Sequence, residues 1–257
     1  MTNMTPSNPK KFLIIAPMGA NPSCHKEWIL GKRDFDLMLI NYSDEPNRYK
    51  EDADYYFDRK GFKFEIIKDA IDAYFDIVQR YEVIWLPDVD LSISTETINK
   101  LFKLFCQYDL DMGQPAVGNK SIIHKIMERR KFCYLRYVNF VELMCPIFKR
   151  EALIQVLDTF RLNRSGWGID WIWAERLKGK RIAIIDATPV FHTKKIDYKN
   201  GLLYETMRKH NVDFTSELKN VKEKYGLKEK YVTFSYELTW WGKIFNRVLP
   251  REIGTLK

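Results

Sequence analysis

The sequence predicts an α/β fold, in which a mostly parallel twisted sheet carries helices on both faces. Two patterns support this prediction: continuous apolar runs typical of buried strands, and amphipathic segments with helical spacing that alternate with them along the chain. The chain has 257 residues, of which 46% are hydrophobic, and contains only 12 Gly and 10 Pro. A chain of this size can bury one large core, so a single domain with a tail suffices.

The first half of the chain contains three predicted strands and two predicted helices. KFLIIAP (11–17) and FDLMLINYS (35–43) are apolar runs that end in turn-forming residues. EIIKDAIDAYFDIVQR (65–80) has its apolar residues on one helical face, and the strand YEVIWLP (81–87) follows it. TETINKLFKLFCQYD (95–109) again has helical spacing.

The second half continues the alternation with less regular patterns. DLDMGQPAV predicts a short strand, VELMCP a strand that ends at Pro146, and the following residues a helix that starts near 149–151. The glycine-bracketed loop SGWG leads into a helix that Gly179 ends, and RIAIIDATPVFHT (181–193) supplies a last strand. The basic and aromatic residues 119–137 suit either a lid or acceptor platform, or a charged helix face.

Two aspartates at the end of the third predicted strand are candidate functional residues. Asp88 and Asp90 follow the apolar run VIWLP with one residue between them. Ligands bind beyond the carboxyl ends of strands in parallel sheets, so both carboxylates are expected near a ligand. Both could face one Mg²⁺ or Mn²⁺ ion, which proteins typically bind through one or two carboxylates and substrate phosphates. The alternative is an Asx turn that caps the following helix.

Asp170 and His192 are the candidates in the second half of the chain. Asp170 follows a loop with an indole at its centre, and Trp167 could stack on a sugar face or fill the core. A carboxylate on such a loop could act as a general base, or it could cap the helix that begins there. His192 follows the last strand, where it is either a structural residue or a third metal ligand whose nitrogen suits Mn²⁺.

The order of these motifs resembles that of the metal-dependent glycosyltransferases of the GT-A fold. More specifically, LPDVDL, GQPAV, VELMCPIFKREAL, SGWGIDWIW and IIDATPVFHT are similar to a little-studied glycosyltransferase-like family of bacteria and plants. The resemblance covers residues 11–195, which implies a single GT-A-like catalytic domain there. Residues 196–257 lie outside it and are expected to form a basic, aromatic C-terminal helical extension.

The resemblance implies a nucleotide-sugar donor, Mn²⁺ or Mg²⁺, and a glycan or lipid-linked saccharide as acceptor. It assigns Asp88 and Asp90 to the metal and the donor, and His192 to the metal shell. Asp170 becomes the catalytic base that deprotonates the acceptor hydroxyl in an inverting reaction. The remaining residues assigned to the donor site are Pro17, Gly19, His25 and Asp44, and those assigned to the acceptor site are Gln114, Glu142, Trp167 and Gly168.

The residue after Asp170 departs from the glycosyltransferase pattern, and two other functions remain as alternatives. Related sugar transferases often have two adjacent acidic residues at the base position, whereas Trp171 follows Asp170 here. A retaining reaction, which would not need Asp170 as a base, is therefore an alternative. A metal-dependent phosphohydrolase or nuclease would also use strand-end carboxylates, and a non-catalytic module could bind a nucleotide sugar or a glycan. No recognition motif supports binding of nucleic acid.

The net charge of +8 is concentrated near the C-terminus, because residues 194–257 contain 14 Lys and Arg against 8 Asp and Glu. Within them LTWWGKIFNRVLPREIG combines paired tryptophans with cations, which predicts either contact with a membrane surface or docking onto the domain's own core. We expect a cytoplasmic protein, peripheral at the inner face of the membrane in the first case. No apolar run approaches ~18 residues, and the first residues lack the apolar stretch of a signal peptide. The four cysteines form no C-x-x-C pair, so reduced thiols are expected.

Overall fold

The structure, a computed structural model, describes residues 10–19, 23–197, 199 and 201–248. Ten strands lie within these residues: β1 Phe12–Met18, β2 Phe35–Asn41, β3 Tyr55–Asp58, β4 Val83–Trp85, β5 Leu91–Ser92, β6 Met112–Val117, β7 Cys133–Val138, β8 Ile147–Lys149, β9 Ile182–His192 and β10 Thr233–Leu238. The α-helices in the same residues are α1 His25–Trp28, α2 Lys63–Ala73, α3 Phe75–Val78, α4 Thr95–Gln107, α5 Arg150–Val156, α6 Ile169–Arg176, α7 Leu202–Lys209, α8 Phe214–Tyr225 and α9 Trp240–Val248.

The strands form a mixed sheet in the order β10-β7-β9-β6-β8-β4-β1-β2-β3, and β5 pairs with β9 beside this path. Strands β3, β2, β1 and β4 are parallel to one another, and so are β6 and β9. Strand β8 runs antiparallel between β4 and β6, and β7 and β10 add antiparallel pairs at the far edge. The predicted α/β class is confirmed, and apart from the short β5, which pairs antiparallel with β9, the antiparallel strands lie in the second half of the chain.

Helices cover both faces of the sheet, as predicted. Alternate residues of a strand point to opposite faces, and the strand register places Phe12 and Phe148 on opposite sides. Phe12 stacks on Phe102 of α4, with ring centroids 4.6 Å apart. On the other face Phe148 packs edge-on against Trp173 of α6 at 5.3 Å, and Trp173 contacts Phe64 of α2 at 5.4 Å. The continuous apolar strands are therefore buried on both sides, which explains why they lack polar alternation.

The structure corrects three of the predicted elements. The helix predicted over 65–80 breaks at Tyr74 into α2 and α3. The strand predicted to end at Pro146 lies after it instead, because β8 must enter the sheet between β4 and β6. A charged helix face over 119–137 is wrong: this region contains a 3₁₀ turn, Lys125–Met127, and then strand β7.

The C-terminal extension is not wholly helical. Helix α8 ends at Tyr225, and its C-cap residue Gly226 closes the helix with a left-handed φ of 61°. Between α8 and α9 the unpredicted strand β10 pairs with β7 and so joins the same sheet as the residues before 196. Residues 249–257, which include the end of the predicted membrane segment, lie outside the described residues. Within the described part of the chain, none of the helices combines the length and the apolar character needed to cross a bilayer.

Candidate active site

The loop after β1 and the D-x-D segment after β4 meet at one edge of the sheet. Strands β1 and β4 are parallel neighbours, so the chain leaves both at the same edge. The Cys24 amide donates a hydrogen bond of 2.7 Å to the Val89 carbonyl, and Ser23 Oγ donates one of 3.3 Å to the same oxygen. Ser94 caps helix α4 by accepting from the Thr97 amide at 3.2 Å. Helix capping therefore does not explain the two aspartates.

Asp90 and His192 are neighbours because β5 pairs with the end of β9. Leu91 lies opposite His192 in the register, and His192 Nε2 is 3.5 Å from Asp90 Oδ2. Lys194 Nζ is 3.5 Å from the same oxygen. Burial by itself raises the pKa of Asp90, but contact with His192 and the charge of Lys194 bring that pKa below its ordinary value. Burial lowers the pKa of His192, whereas the Asp90 carboxylate raises it above its ordinary value. Asp90 is therefore held as a carboxylate beside two potential cations.

Lys63, which the sequence analysis did not identify, holds the other aspartate. Its ammonium donates to Asp88 Oδ1 at 2.6 Å and to the carbonyls of Leu143 and Met144 at 2.7 and 2.9 Å. The Asp88 amide donates to the Met144 carbonyl at 2.8 Å, so lysine and aspartate join the D-x-D segment to the loop before β8. Nothing local in the sequence indicates this contact, because Lys63 opens helix α2 far from the D-x-D along the chain.

The residues fit a divalent cation only when a ligand supplies further oxygens. Among the described residues, no group of three or more His, Cys, Asp or Glu side chains is arranged to hold a metal. Asp88, Asp90 and His192 nevertheless suit an ion such as Mn²⁺ or Mg²⁺ that a substrate diphosphate helps to coordinate. Asp90 Oδ1 is buried and has no hydrogen-bond partner in the described part of the protein. A buried acceptor without a partner destabilises the fold, so this oxygen is suited to contact a bound ligand. Asp88 would have to exchange its contact with Lys63 for the cation.

Glu142 lies close enough to the D-x-D segment for the charge of Asp88 to act on it, and Asp170 lies in turn near Glu142. Glu142 is 7% exposed, and its Oε2 has no hydrogen-bond partner within the described residues. Burial, reinforced by the charge of Asp88, raises the pKa of Glu142 to about 7. Asp170 is 4% exposed, and burial together with the charge of Glu142 raises its pKa well above the ordinary value. Helix α6 begins before Asp170 with Gly168 at the N-cap, and Asp170 Oδ1 accepts from the Trp171 amide at 3.0 Å. Asp170 is therefore not the N-cap residue, although its carboxylate accepts from an amide of the first turn.

Tyr231, from the C-terminal extension, contributes to the burial of these carboxyl groups. Its ring centroid is 5.1 Å from that of Trp171, and its hydroxyl is 2.6 Å from His124 Nδ1. Burial raises the pKa of Tyr231, and the charges of Glu229, Asp170 and Glu142 raise it further. The extension therefore reaches the candidate site, although the motif pattern ends before it.

The raised pKa of Glu142 predicts that Glu142→Gln stabilises the protein at neutral and alkaline pH. A carboxyl whose pKa rises from 4.5 to about 7 on folding gives a folded state that binds more protons than the unfolded state between these values. The free energy of unfolding then falls as the pH rises through this range. We expect the substitution to add up to about 3 kcal/mol at pH ~8 and little at pH ~4, because one pKa unit corresponds to about 1.4 kcal/mol. Urea unfolding across this pH range measures the difference.

Glu96→Gln removes the same charge from an exposed side chain and serves as the control. The interpretation would be wrong if Glu142→Gln and the control changed the unfolding free energy equally at every pH. The same result would mean that Glu142 is ionised in the folded protein at no cost.

The two residues assigned to the donor site on β1 shape the loop that follows the strand. Pro17 is buried in β1, in register with Ile40. A Cβ on Gly19 would lie 2.7 Å from the ring of Tyr42, so this ring occupies the space beside the glycine. Burial and the charges of Asp88 and Asp90 raise the pKa of Tyr42 to about 12. Tyr42 therefore presents a neutral phenol near the two carboxylates, and sequence reasoning had missed it.

The structure corrects the direct donor contact assigned to His25. Its ring is fully buried, with Nδ1 2.8 Å from Ser23 Oγ and Nε2 2.8 Å from Asp52 Oδ2. Because both nitrogens have partners inside the protein, His25 anchors the first loop and has no surface for a nucleotide. Asp44 lies on the exposed turn after β2, where its carboxylate pairs with Lys60 at 2.6 Å.

Three of the residues assigned to the acceptor site face the protein interior or the extension. Gln114 is fully buried and accepts from the Glu142 amide at 2.7 Å, so it positions Glu142 and cannot itself touch an acceptor. The ring of Trp167 packs against Phe214 at a centroid distance of 4.7 Å. Gly168 has a φ of 89°, and a Cβ there would lie 3.0 Å from a valine of α8. The G-W-G loop thus serves to dock helix α8.

Comparisons with known proteins identify the fold without identifying a family. No protein-family model matches the chain, and no curated protein matches it. Among solved structures it is similar to S. aureus TarS, with a TM-score of 0.50 and 14% identity over 82% of this chain and 43% of TarS. The chain therefore spans less than half of that protein.

Two further structures carry nucleotide sugars. S. aureus TarS 1-349 in complex with UDP-GlcNAc has a TM-score of 0.51 and 13% identity over 84% of this chain and 73% of that one. The mannosyltransferase PcManGT from Pyrobaculum calidifontis, in complex with GDP-Man and Mn²⁺, has a TM-score of 0.50 and 12% identity over 88% of this chain and 67% of that one. The predicted GT-A-like fold is confirmed, and identities this low show the fold alone.

Proposed function

We propose that this protein is a nucleotide-sugar-dependent glycosyltransferase that transfers a sugar to a hydroxyl of a glycan or a lipid-linked saccharide. The observation that carries the proposal is the cluster of Asp88, Asp90 and His192 at one edge of a GT-A-like sheet, with the buried Glu142 near Asp88 and the buried Asp170 near Glu142. Structures with a similar fold bind UDP-GlcNAc or GDP-Man. Fold similarity alone would not support an activity, so the proposal depends on this cluster of side chains.

The donor side of the proposed site comprises Asp88, Asp90 and His192. When bound there, Mn²⁺ or Mg²⁺ would neutralise the charge that develops on the departing nucleoside diphosphate. The buried and unpartnered Asp90 Oδ1 is the oxygen best prepared for such a ligand. Lys63, once released from Asp88, supplies a cation that can contact a phosphate oxygen.

On the acceptor side, Asp170 takes the proton of the attacking hydroxyl as the hydroxyl oxygen bonds to the anomeric carbon and the bond to the diphosphate breaks. A base must be ionised, whereas burial and Glu142 raise the pKa of Asp170 in the free protein. A cation near Asp88 would lower the pKa of Glu142, on which the charge of Asp88 acts. Because ionised Glu142 raises the pKa of Asp170, the two carboxyl groups compete for ionisation, and Asp170 serves best as the base while Glu142 keeps its proton.

A thermal-shift screen tests the donor half. UDP, GDP, CMP and their common sugar conjugates are added with and without Mn²⁺ to the wild type and to Asp88→Ala/Asp90→Ala. A ligand that binds only the folded state adds about 2.7 kcal/mol at a concentration 100 times its Kd, so one nucleotide should give a clear, Mn²⁺-dependent shift. The double variant should lose this shift.

Asp34→Ala/Asp76→Ala, which removes two carboxylates elsewhere on the chain, should keep the shift and controls for the change in charge. If every nucleotide leaves the melting temperature of the wild type unchanged, the transferase proposal fails. A nucleotide shift without sugar transfer to any acceptor would support a binding module instead, which the 4% exposure of Asp170 would then explain.

A further inference from the structure

An exposed aromatic surface lies where helix α9 meets the start of β7. Its members are Phe132, Trp240 and Trp241, which are 43%, 65% and 59% exposed, and we call it the tryptophan patch. The two indoles contact each other with ring centroids 4.7 Å apart. The Thr239 amide donates to the Phe132 carbonyl at 3.0 Å, and a Cβ on Gly242 would meet the same oxygen at 2.3 Å. These contacts hold the segment that carries Phe132 next to the segment that carries the two indoles.

The two segments that build the patch are basic and contain no acidic residue. Residues 129–134 contribute three Lys and Arg, residues 238–248 contribute two, and neither segment contains Asp or Glu. Lys131 precedes Phe132 directly, Lys243 lies one helical turn after Trp240, and both side chains are exposed. Exposed indoles flanked by cations are typical of surfaces that lie at the headgroups of a bilayer.

We propose that the tryptophan patch binds an anionic lipid surface. Its charge complements anionic headgroups, while the indoles enter the boundary between headgroups and acyl chains. Docking onto the domain's own core, the alternative for this segment, does not fit indoles that keep more than half of their surface exposed. The described residues therefore leave the patch uncovered, and the exposed Lys131 and Lys243 favour an anionic lipid surface over a second copy of this basic protein.

The sheet topology places the tryptophan patch and the candidate site at the same edge. Strands β9 and β10 both run antiparallel to β7, so they point in the same direction. Strand β9 ends at His192, and β10 leads into α9, which places the patch at the same edge of the sheet as the candidate site. If the proposed function holds, a bilayer on the patch would bring a lipid-linked acceptor to the edge at which the carboxyl groups lie. Lipid binding itself needs no catalytic activity.

Cosedimentation of the full chain with vesicles tests the proposal. We compare phosphatidylcholine vesicles with vesicles that also contain phosphatidylglycerol, each at low and high salt. The wild type should bind the anionic vesicles more strongly, and salt should weaken this preference. Trp240→Ala/Trp241→Ala should lower the partition coefficient at least about tenfold on both kinds of vesicle. Lys131→Glu/Lys243→Glu should remove the preference for anionic lipid and its salt dependence.

Leu30→Ala/Ile154→Ala changes two apolar residues that are 83% and 50% exposed elsewhere, and it should bind like the wild type. Melting temperatures verify that each variant is folded. Equal binding by the tryptophan variant and the wild type, or no vesicle binding at all, overturns the proposal. Sedimentation velocity tests the alternative that copies of the chain bind one another. Self-association that the tryptophan variant abolishes, together with no vesicle binding, would show that the patch is an interface between copies of the chain and would overturn the proposal.

Discussion

Asp170→Asn should lower the rate of sugar transfer by about 10³-fold while donor binding changes less than twofold, within the 10²–10⁴ range typical of a lost general base. Asparagine has nearly the same shape as aspartate and retains an oxygen that can accept from the Trp171 amide. In the wild type this hydrogen bond to Asp170 Oδ1 is 3.0 Å long. The start of helix α6 should therefore stay intact. Steady-state transfer assays with the donor found in the thermal-shift screen, together with donor titrations, separate the two effects.

Asp158→Asn removes an exposed carboxylate that pairs with Arg176 and should leave transfer unchanged. Loss of donor binding in Asp170→Asn would show that this carboxyl group supports the donor site and is not the base. A rate within tenfold of the wild type would point to a retaining reaction or to Glu142 as the proton acceptor. Transfer by Glu142→Gln, measured in parallel, distinguishes these two outcomes.

Arg136→Met should destabilise the fold by about 3–5 kcal/mol, which is the usual effect of removing one partner of a buried ion pair. Both side chains of the Arg136–Asp186 pair are fully buried, with Nε 2.9 Å from Asp186 Oδ2 and Nη2 3.1 Å from Oδ1. The guanidinium also donates to the carbonyls of Ile126 and Glu128 at 2.9 Å, which fixes the loop before β7. The substitution leaves the Asp186 carboxylate buried without its cation. Chemical denaturation at neutral pH measures the loss.

Arg80→Met, at an exposed position, is the matched control and should change the unfolding free energy by less than about 0.5 kcal/mol. The double variant Arg136→Met/Asp186→Leu should recover part of the stability, because it no longer buries an unpaired charge. If Arg136→Met alone is as stable as the wild type, Asp186 must take up a proton or find another partner, and the pair is not needed for the fold.

The sequence by itself determined the main strands and helices of the first half, without the short β3, β5 and α1, and the edge of the sheet at which the candidate residues lie. Continuous apolar runs such as those of β1 and β2 can only be buried, and the helical spacing of α4 leaves one face for the sheet. Since ligands bind beyond the carboxyl ends of parallel strands, Asp88 and Asp90 could be selected as candidate site residues before any contact was known. Local pattern suffices there, because each signal lies within one element.

Only the tertiary structure decided how the second half is used. The alternation of Phe234, Tyr236 and Leu238 with polar residues is typical of a strand, but only the structure shows that β10 pairs with β7, and β8 has three residues, too few for periodicity. Lys63 and Tyr231 reach the candidate site across long stretches of chain, and His25 and Gln114 turn out to be supports whose polar atoms are already satisfied. The environment of Glu142 and Asp170 likewise depends on what covers them. Ionisation and hydrogen bonding follow from burial and from neighbours that are distant along the chain, and a sequence pattern records neither.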